Sequence, residues 1–237
     1  MLPSEFLTPI PSPPYEDWDS VPPPQECGEP LVDPTLLSPR ITYGAAYLRQ
    51  GLPGEAACLV RETVARKLCQ AAERLPQGYG IYIFDSLRSL RVQKALYDQY
   101  RLTAEKEHPG LGPQELDAII DEFVALPVKR LDKPSPHATG GAVDLTLTRD
   151  DRLLDMGTGF DDFTPMAYTN ALESHCPPGL EEARQNRRLL YHLMASVGLV
   201  NYSSEWWHYA YGERQWAVRT GHAPIYGFCP ECDFETD

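Results

Sequence analysis

The stretch SPHATGGAVDL, residues 135–145, decides the fold and the chemistry of this chain. It requires one later partner, the tetrapeptide EWWH at residues 205–208. Together they supply two imidazoles and two carboxylates among apolar or small residues. A catalytic zinc site takes three nitrogen or oxygen ligands from the protein and leaves one position open for water. His137, Asp144 and His208 can be those three ligands, which predicts one zinc ion per chain.

The backbone between the first two ligands suits this arrangement. The pair Gly140-Gly141 lets the chain turn without a side-chain clash. Residues 142–147 then alternate as a strand does. Asp144 would therefore point from that strand into the site, with its apolar neighbours on the opposite face.

Glu205 is the carboxylate that coordination does not require. A zinc site lowers the pKa of its water toward about 7, and Glu205 can take that proton and pass it to a leaving amine. An offset of three residues would place Glu205 and His208 on opposite faces of an ideal strand. We therefore expect Glu205 to lie at a bend before the strand, where Ser203-Ser204 permits a turn.

The joint pattern, Ser-x-His-x-x-Gly-x-Ala-x-Asp at residues 135–144 followed by Glu-x-x-His at 205–208, resembles the zinc D-alanyl-D-alanine dipeptidases of the VanX type. These enzymes belong to a wider group that includes D,D-carboxypeptidases and the hedgehog signalling fold. The resemblance extends from about Arg40 to Tyr211. It implies a zinc metallopeptidase that cleaves D-alanyl-D-alanine, a building block of peptidoglycan, into two D-alanines.

The resemblance also implies a role for Arg88. The family has Asp-Gly-Tyr-Arg-Pro where this chain has DSLRS at residues 85–89. The family arginine stabilises the transition state, and a guanidinium at Arg88 could lie over the scissile carbonyl. Because Gly, Tyr and Pro are replaced, the loop shape and the placement of Arg88 stay open. The alternative is a surface arginine paired with Asp85.

Three further residues match family positions that contact the substrate. Asp161, in the loop MGTGFD, matches an aspartate that binds the free amino group. Tyr43 resembles a tyrosine near the same ammonium, and Ser135 matches a serine near the substrate carboxylate. For Tyr43 and Ser135, a packed ring and a loop or cap hydroxyl are the alternatives.

The pattern along the chain mixes helices with short strands, which predicts an α+β fold with helices packed on a mostly antiparallel sheet. Apolar periodicity and turn residues predict the elements. They are a helix over 57–75, a strand over 81–84, a helix capped by Ser89, a helix over 113–126 containing Phe123, a hairpin around 149–151, a helix over 180–197, a strand over 206–211 and coil from 212.

Two segments flank the matched region. Residues 1–38 hold many of the 23 prolines and predict an extended arm, which either lies over the domain or is partly disordered. Residues 39–237 form the peptidase domain with a short C-terminal tail. In that tail, Cys229 and Cys232 have redox or metal spacing, with two free thiols as the alternative.

Composition limits the partners and the location. The net charge of −13 opposes binding to nucleic acid or to an anionic membrane surface. No apolar run approaches the roughly 20 residues that span a bilayer. The N-terminus does not resemble a secretory signal, so we expect a cytoplasmic location, with a periplasmic one open. The expected partner is a small dipeptide substrate, and nothing indicates the oligomeric state.

Two alternatives to the dipeptidase stay open. One is a related zinc D,D- or L,D-carboxypeptidase or amidase that acts on a larger cell-wall peptide or another small peptide. The other is a non-catalytic zinc-binding module of the hedgehog kind. The presence of Glu205 and Arg88 argues against the second.

Overall fold

The protein is built around one mixed sheet. The structure, a computed structural model, describes residues 4–121, 124, 126–162 and 164–232. The strands in these ranges are β1 (Leu31–Val32), β2 (Ile41–Tyr43), β3 (Val60–Arg61), β4 (Tyr79–Asp85), β5 (Ala142–Arg149), β6 (Arg152–Leu153), β7 (Val200–Asn201) and β8 (His208–Ala210).

The sheet has the order β2-β4-β5-β8-β7, and β6 forms a hairpin with β5. Only the β2–β4 pair is parallel in the described part of this sheet. β1 and β3 form a separate antiparallel ladder. The mostly antiparallel α+β fold predicted from the sequence is therefore confirmed, as is the hairpin around residues 149–151.

Helices cover this sheet, and none of those that the structure describes is long and apolar enough to cross a membrane. The helices are α1 (Ala46–Arg49), α2 (Glu62–Arg74), α3 (Leu90–Glu107), α4 (Pro113–Asp121), α5 (Ala171–Ser174), α6 (Glu181–Ser196) and α7 (Arg214–Thr220).

The main core lies between the sheet and the helices α2 and α6. Leu145 and Leu147 of β5 join Leu68 of α2 and Leu190 and Leu193 of α6 in one fully buried cluster. Burying each such side chain contributes about 1.5–3 kcal/mol. Because strand side chains alternate, Asp144 faces away from this cluster and into a cleft.

Some element boundaries differ from the sequence-based expectation. Helix α2 begins at Glu62 rather than near residue 57, because Val60–Arg61 pairs with β1. Helix α4 ends at Asp121 in the described residues, and the predicted core residue Phe123 lies outside them.

The N-terminal arm lies over the domain. Phe6 is buried in the main core. The backbone N–H of Ile10 donates to Glu173 Oε1 at 3.1 Å, and Arg188 Nη1 donates to the carbonyl of Leu7 at 3.2 Å. The domain boundary at residue 38 stays a prediction.

The coil predicted from residue 212 is wrong, because helix α7 begins at Arg214. The carboxylate of Glu213 caps this helix by accepting the N–H groups of Gln215 and Trp216 at 2.9 and 2.8 Å. Gly221 ends it with a left-handed backbone, φ 74°. Glutamate is not among the preferred N-cap residues, which hid the helix start.

The C-terminal cysteine pair packs against the metal-motif loop, residues 135–141. Cys229 and Cys232 are both buried free thiols. The N–H of Cys229 donates to the carbonyl of Ala138 at 2.8 Å, and its Sγ lies 3.2 Å from the carbonyl of Thr139.

Arg61 joins the arm, the metal-motif loop and the C-terminal segment. Its Nε donates to the carbonyl of Thr139 at 2.8 Å, and its Nη2 forms an ion pair with Glu26 at 2.9 Å. Glu26 also accepts the N–H of Gly227 at 2.7 Å, and the hydroxyl of Tyr226 donates to Glu29 at 2.7 Å. Arg61 is only 4% exposed, whereas the Glu26 side chain is 41% exposed, so the network runs from the interior to the surface.

Candidate active site

Backbone pairing places the three predicted metal ligands together. Asp144 on β5 and His208, the first residue of β8, are direct partners in the antiparallel register. His137 lies in a 3-10 turn, Pro136–Thr139, that begins with proline and ends at Gly140 with φ 69°. Proline is favoured at the start of a helical turn, and glycine accepts the left-handed backbone at its end.

The ligand atoms have the spacing of a tetrahedral metal site. His137 Nε2 lies 3.3 Å from Asp144 Oδ2 and 3.3 Å from His208 Nδ1, and His208 Nδ1 lies 3.0 Å from Asp144 Oδ1. Zinc–ligand bonds of about 2.0–2.1 Å in tetrahedral geometry give ligand–ligand distances of about 3.3 Å. The three residues are buried and form a compact group of possible metal ligands. The donor set therefore fits zinc.

Hydrogen bonds orient His137 for coordination. Its Nδ1 lies 2.8 Å from the carbonyl oxygen of Ser86 and 3.4 Å from Asp85 Oδ2. Both are acceptors, so Nδ1 carries the proton and Nε2 presents its lone pair to the site. Outer partners of this kind fix the tautomer and the ring orientation of a metal-binding histidine.

The charges of the ligands are mutually dependent. Burial favours the neutral form of Asp144, but the imidazoles of His137 and His208 outweigh it and hold the pKa of Asp144 well below its usual range. Burial lowers the pKa of His208, but the hydrogen bond and charge of Asp144 raise it overall. Asp144 is therefore held as an anion, the form that binds a metal.

Glu205 lies before β8, at the bend predicted from the sequence. Its N–H donates to the carbonyl of Tyr202 at 3.1 Å, which closes a turn. The side chain of Asn201 donates to the carbonyls of both Glu205 and His208 at 3.0 Å. This geometry brings Glu205 Oε2 to 3.8 Å from His208 Nδ1. The sequence analysis did not single out Asn201, whose role depends on a fold-level contact.

The environment of Glu205 suits proton transfer near neutral pH. Burial raises the pKa of Glu205 to about 7, with the nearby charge of Asp144 adding to the effect. His208 and Arg88 oppose the shift. A general base works best when its pKa lies near the operating pH.

Arg88 reaches the metal ligands despite the altered Ser86-Leu87 turn. Its Nη2 lies 3.3 Å from Asp144 Oδ2 and 3.1 Å from the hydroxyl of Tyr47. Its Nε forms an ion pair with Asp85 at 2.8 Å, and its Nη1 donates to Gln93 at 3.1 Å. The side chain is 12% exposed. The predicted pairing with Asp85 is therefore present, but it holds Arg88 in the cleft and not on the surface.

Asp161 lines the same cleft from the loop that follows β6. Its backbone is left-handed, φ 59°, a conformation that aspartate tolerates better than most residues. Burial raises the pKa of Asp161 well above its usual range, Asp144 adds to the shift, and Arg88 opposes it. In the described part of the chain, no hydrogen bond or ion pair engages the Asp161 carboxylate.

A buried arginine holds the loop that carries Asp161. Arg187 of α6 donates from Nε to the carbonyl of Met156 at 2.6 Å and from Nη1 to that of Tyr168 at 2.8 Å. Burial lowers the pKa of Arg187 to about 10. Trp206 adds a bond from Nε1 to the hydroxyl of Thr158 at 2.8 Å.

Replacing Arg187 with methionine should lower both stability and activity. The buried carbonyl of Met156 would lose its donor, at a cost of about 1–3 kcal/mol, whereas the carbonyl of Tyr168 would keep the N–H of Ala171 at 2.9 Å. We expect a lower melting temperature and a kcat/KM reduced about tenfold, with the zinc content unchanged. The exposed Arg152→Met is the matched control. Unchanged kinetics in a destabilised Arg187→Met would show that the loop keeps its shape without the guanidinium.

Of the two remaining predicted site residues, only one lines the cleft. Ser135 lines the cleft beside His137. Tyr43 is not among the residues that line it, and its hydroxyl donates to the carbonyl of Glu55 at 2.9 Å. Tyr47 lies in the cleft instead, four residues later on α1. The role of Tyr43 in substrate binding stays a prediction that its position does not support.

The cleft has a volume of about 790 Å³. Sequence reasoning missed several side chains in its wall because they are dispersed along the chain and have no motif of their own. They include Tyr47, Gln93, Tyr202 and Gln215.

Comparison with known proteins agrees with this site. The family model Peptidase_M15, described as D-ala-D-ala dipeptidase, matches residues 47–224. A D-alanyl-D-alanine dipeptidase of Synechocystis is 28% identical over 212 residues, which are 81% of this chain and 86% of the relative. One from Enterococcus faecium is 34% identical over 155 residues, 62% of this chain and 69% of the relative.

A solved structure is a more distant match. It is a zinc-bound mutant of the vancomycin resistance D,D-pentapeptidase VanY. The identity is 16% and the TM-score is 0.43, over 71% of this chain and 83% of the other.

The matches and the site define a hydrolase, a zinc metallopeptidase. The chain belongs to the Peptidase_M15 family of D-Ala-D-Ala dipeptidases. The non-catalytic alternative considered from the sequence therefore has no support.

Proposed function

We propose that the protein hydrolyses the dipeptide D-alanyl-D-alanine to two D-alanines. The observation that carries this proposal is the Asp161 carboxylate, which faces the cleft of the metal ligands without a partner among the described residues. An unpaired carboxylate in a partly buried site is costly unless a cation binds it. The free ammonium of a dipeptide is such a cation, and the names of the curated relatives agree with this substrate.

In this proposal, His137, Asp144 and His208 hold the zinc ion. Bound zinc supplies Lewis acidity to the scissile carbonyl and to the attacking water. Glu205, 3.8 Å from His208, accepts the proton of that water and delivers it to the leaving amine. Its burial and its pKa near 7 support both transfers.

Arg88 has the position required to stabilise a developing oxyanion. Its guanidinium lies beside Asp144, and Asp85, Gln93 and Tyr47 fix its orientation. Such a pre-oriented cation stabilises charge that develops in the transition state without reorganising. We therefore assign Arg88 to transition-state stabilisation.

The Arg88→Ala variant should lower kcat more than it raises KM. Loss of one such donor costs on the order of 3 kcal/mol, about a hundredfold in rate. Arg88→Lys should restore only part of the rate, because an ammonium cannot keep three separate bonds in one plane. The exposed Arg91 of α3 provides the control, Arg91→Ala. An effect confined to KM would place Arg88 in ground-state binding.

The substrate proposal is tested by blocking the amino group. N-acetyl-D-Ala-D-Ala lacks the positive charge that Asp161 would bind, so its kcat/KM should be at least about a hundredfold below that of the free dipeptide, roughly 3 kcal/mol. Asp161→Asn should lose most activity on the free dipeptide and narrow this difference. Product analysis with zinc-loaded protein and a panel of D,D, L,D and L,L dipeptides provides the measurement.

The neighbouring Asp162 offers a matched control, since its carboxylate accepts the N–H of Thr164 at 2.9 Å. Asp162→Asn keeps an acceptor oxygen and should retain the preference for the free dipeptide. Equal rates on the free and acetylated substrates would contradict the dipeptidase proposal.

One observation favours the second candidate, a D,D- or L,D-carboxypeptidase acting on longer cell-wall peptides. The cleft continues from the metal ligands along α3 to Thr103 and Glu107 and reaches Val124. Such a length would accommodate residues on the amino side of the scissile bond. Faster cleavage of the acetylated dipeptide or of a longer peptide would support this candidate with the same zinc chemistry.

A further inference from the structure

Gln215 is a buried amide in the wall of the active-site cleft. It lies in the first turn of α7 and is 1% exposed. Its backbone N–H donates to Glu213 at 2.9 Å, so the backbone of the residue is held in place. Its side-chain Nε2, however, has no hydrogen-bond partner among the residues that the structure describes.

A buried donor without a partner destabilises a folded protein. Leaving such a group without a hydrogen bond costs the free energy of removing it from water. Buried polar side chains therefore usually have a partner. A leucine at this position would fill a similar volume without that cost. Gln215 therefore combines a place in the wall of the cleft where the substrate binds with a buried side-chain N–H that no described residue uses.

The sheet order separates Gln215 from Asp161. Helix α7 is joined to β7, where Arg219 donates to the carbonyl of Asn201 at 3.3 Å. The loop of Asp161 packs toward β4, where the rings of Phe160 and Phe84 stack at 4.5 Å. Strands β5 and β8, which carry two of the metal ligands, lie between β4 and β7. In the order of the sheet, α7 and the Asp161 loop therefore contact strands on opposite sides of the β5–β8 pair.

We propose that Gln215 is a specificity-determining residue that donates a hydrogen bond to the C-terminal carboxylate of the peptide substrate. This inference rests on the proposed function, in which Asp161 binds the ammonium. A dipeptide that spans the metal site with its ammonium at Asp161 directs its carboxylate away from Asp161, toward the part of the cleft wall that includes Gln215. The N–H donor suits a carboxylate oxygen and cannot bind an ammonium.

Two variants and two ligands test this assignment. Gln215→Leu removes the donor, and the isosteric Gln215→Glu replaces it with an anion that repels a carboxylate. Each is compared with wild type on D-Ala-D-Ala and on its C-terminal amide. The exposed Gln70 of α2 provides the matched control, Gln70→Glu.

We expect Gln215→Leu to raise KM for the free acid about tenfold or more, with kcat within about threefold. Gln215→Glu should raise KM for the free acid about a hundredfold and change KM for the amide much less. Equal effects of Gln215→Glu on the acid and the amide would overturn the proposal. The proposal would also be overturned if Gln215→Glu changed the preference for the free over the N-acetylated dipeptide more than the preference for the acid over the amide.

Thermal unfolding distinguishes this role from a structural one. Because the donor is unsatisfied without substrate, Gln215→Leu should melt at the same temperature as wild type or higher. A lower melting temperature together with equal losses on the acid and the amide would assign Gln215 to structure and overturn the proposal.

Equilibrium binding separates this inference from the proposed function. Calorimetry with zinc-loaded Glu205→Gln protein measures the affinity for the free acid and the amide without turnover, with and without Gln215→Glu. If Gln215→Glu lowers the affinity for the free acid but not for the amide, the role of Gln215 is supported even if wild type cleaves other peptides faster. If wild type cleaves D-Ala-D-Ala but Gln215→Glu lowers the affinity for the acid and the amide equally, the role of Gln215 is rejected and the proposed function stands.

Discussion

Replacing Glu205 with glutamine should remove most turnover and leave the fold and the zinc content intact. The amide keeps the volume of the side chain but cannot accept a proton from water. General acid–base assistance of this kind contributes about 10²–10⁴-fold in rate. We therefore expect kcat to fall within that range, measured by release of D-alanine from zinc-loaded protein.

The comparison requires two controls. The exposed Glu73 of α2 provides the first, because Glu73→Gln removes the same charge away from the cleft and should not change kcat. Elemental analysis of the Glu205→Gln protein provides the second, since Glu205 Oε2 lies only 3.8 Å from a ligand nitrogen. A kcat close to that of wild type in zinc-loaded Glu205→Gln would show that another group moves the proton.

The second large effect is expected when a metal ligand is removed. His137→Ala and His208→Ala each take away one of three ligands, and Asp144→Asn removes the negative charge that both imidazoles stabilise. We expect the zinc content to fall from one per chain to a small fraction after dialysis. Activity should fall with it, because the remaining two ligands form an incomplete site.

The melting temperature tests the assignment of the metal ligands without a measurement of activity. A ligand that binds only the folded state raises the melting temperature by mass action. Zinc should therefore stabilise wild type, and a chelator should reverse the effect, while the ligand variants respond to neither. The exposed His108 provides the control, His108→Ala. Full zinc occupancy in both histidine variants would contradict the ligand assignment.

The sequence predicted the parts of the site that lie in short, regular segments. The alternation over residues 142–147 placed Asp144 opposite the apolar core, and the structure agrees. The offset between Glu205 and His208 predicted a bend, because a strand could not bring both to one side. These inferences need only local geometry.

The parts that the sequence did not reveal depend on contacts between distant segments. The start of α2 is set by the pairing of Val60–Arg61 with β1, which no local pattern shows. Tyr47 and Gln215 come to the cleft through the packing of short helices that lack strong start signals. The family pattern selected Tyr43, although its hydroxyl bonds to Glu55 outside the cleft wall.

The network around Arg61 has a consequence for the order in which the chain can fold during synthesis. Glu29 is synthesised 197 residues before its partner Tyr226, and Glu26 is synthesised 201 residues before its partner Gly227. Arg61 and Thr139, at the metal-motif loop, are synthesised in between. The network around Arg61 can therefore form completely only after residue 227 has been made. Because contacts of such long sequence separation form slowly, we expect the sheet to pair before the metal-motif loop gains its final support.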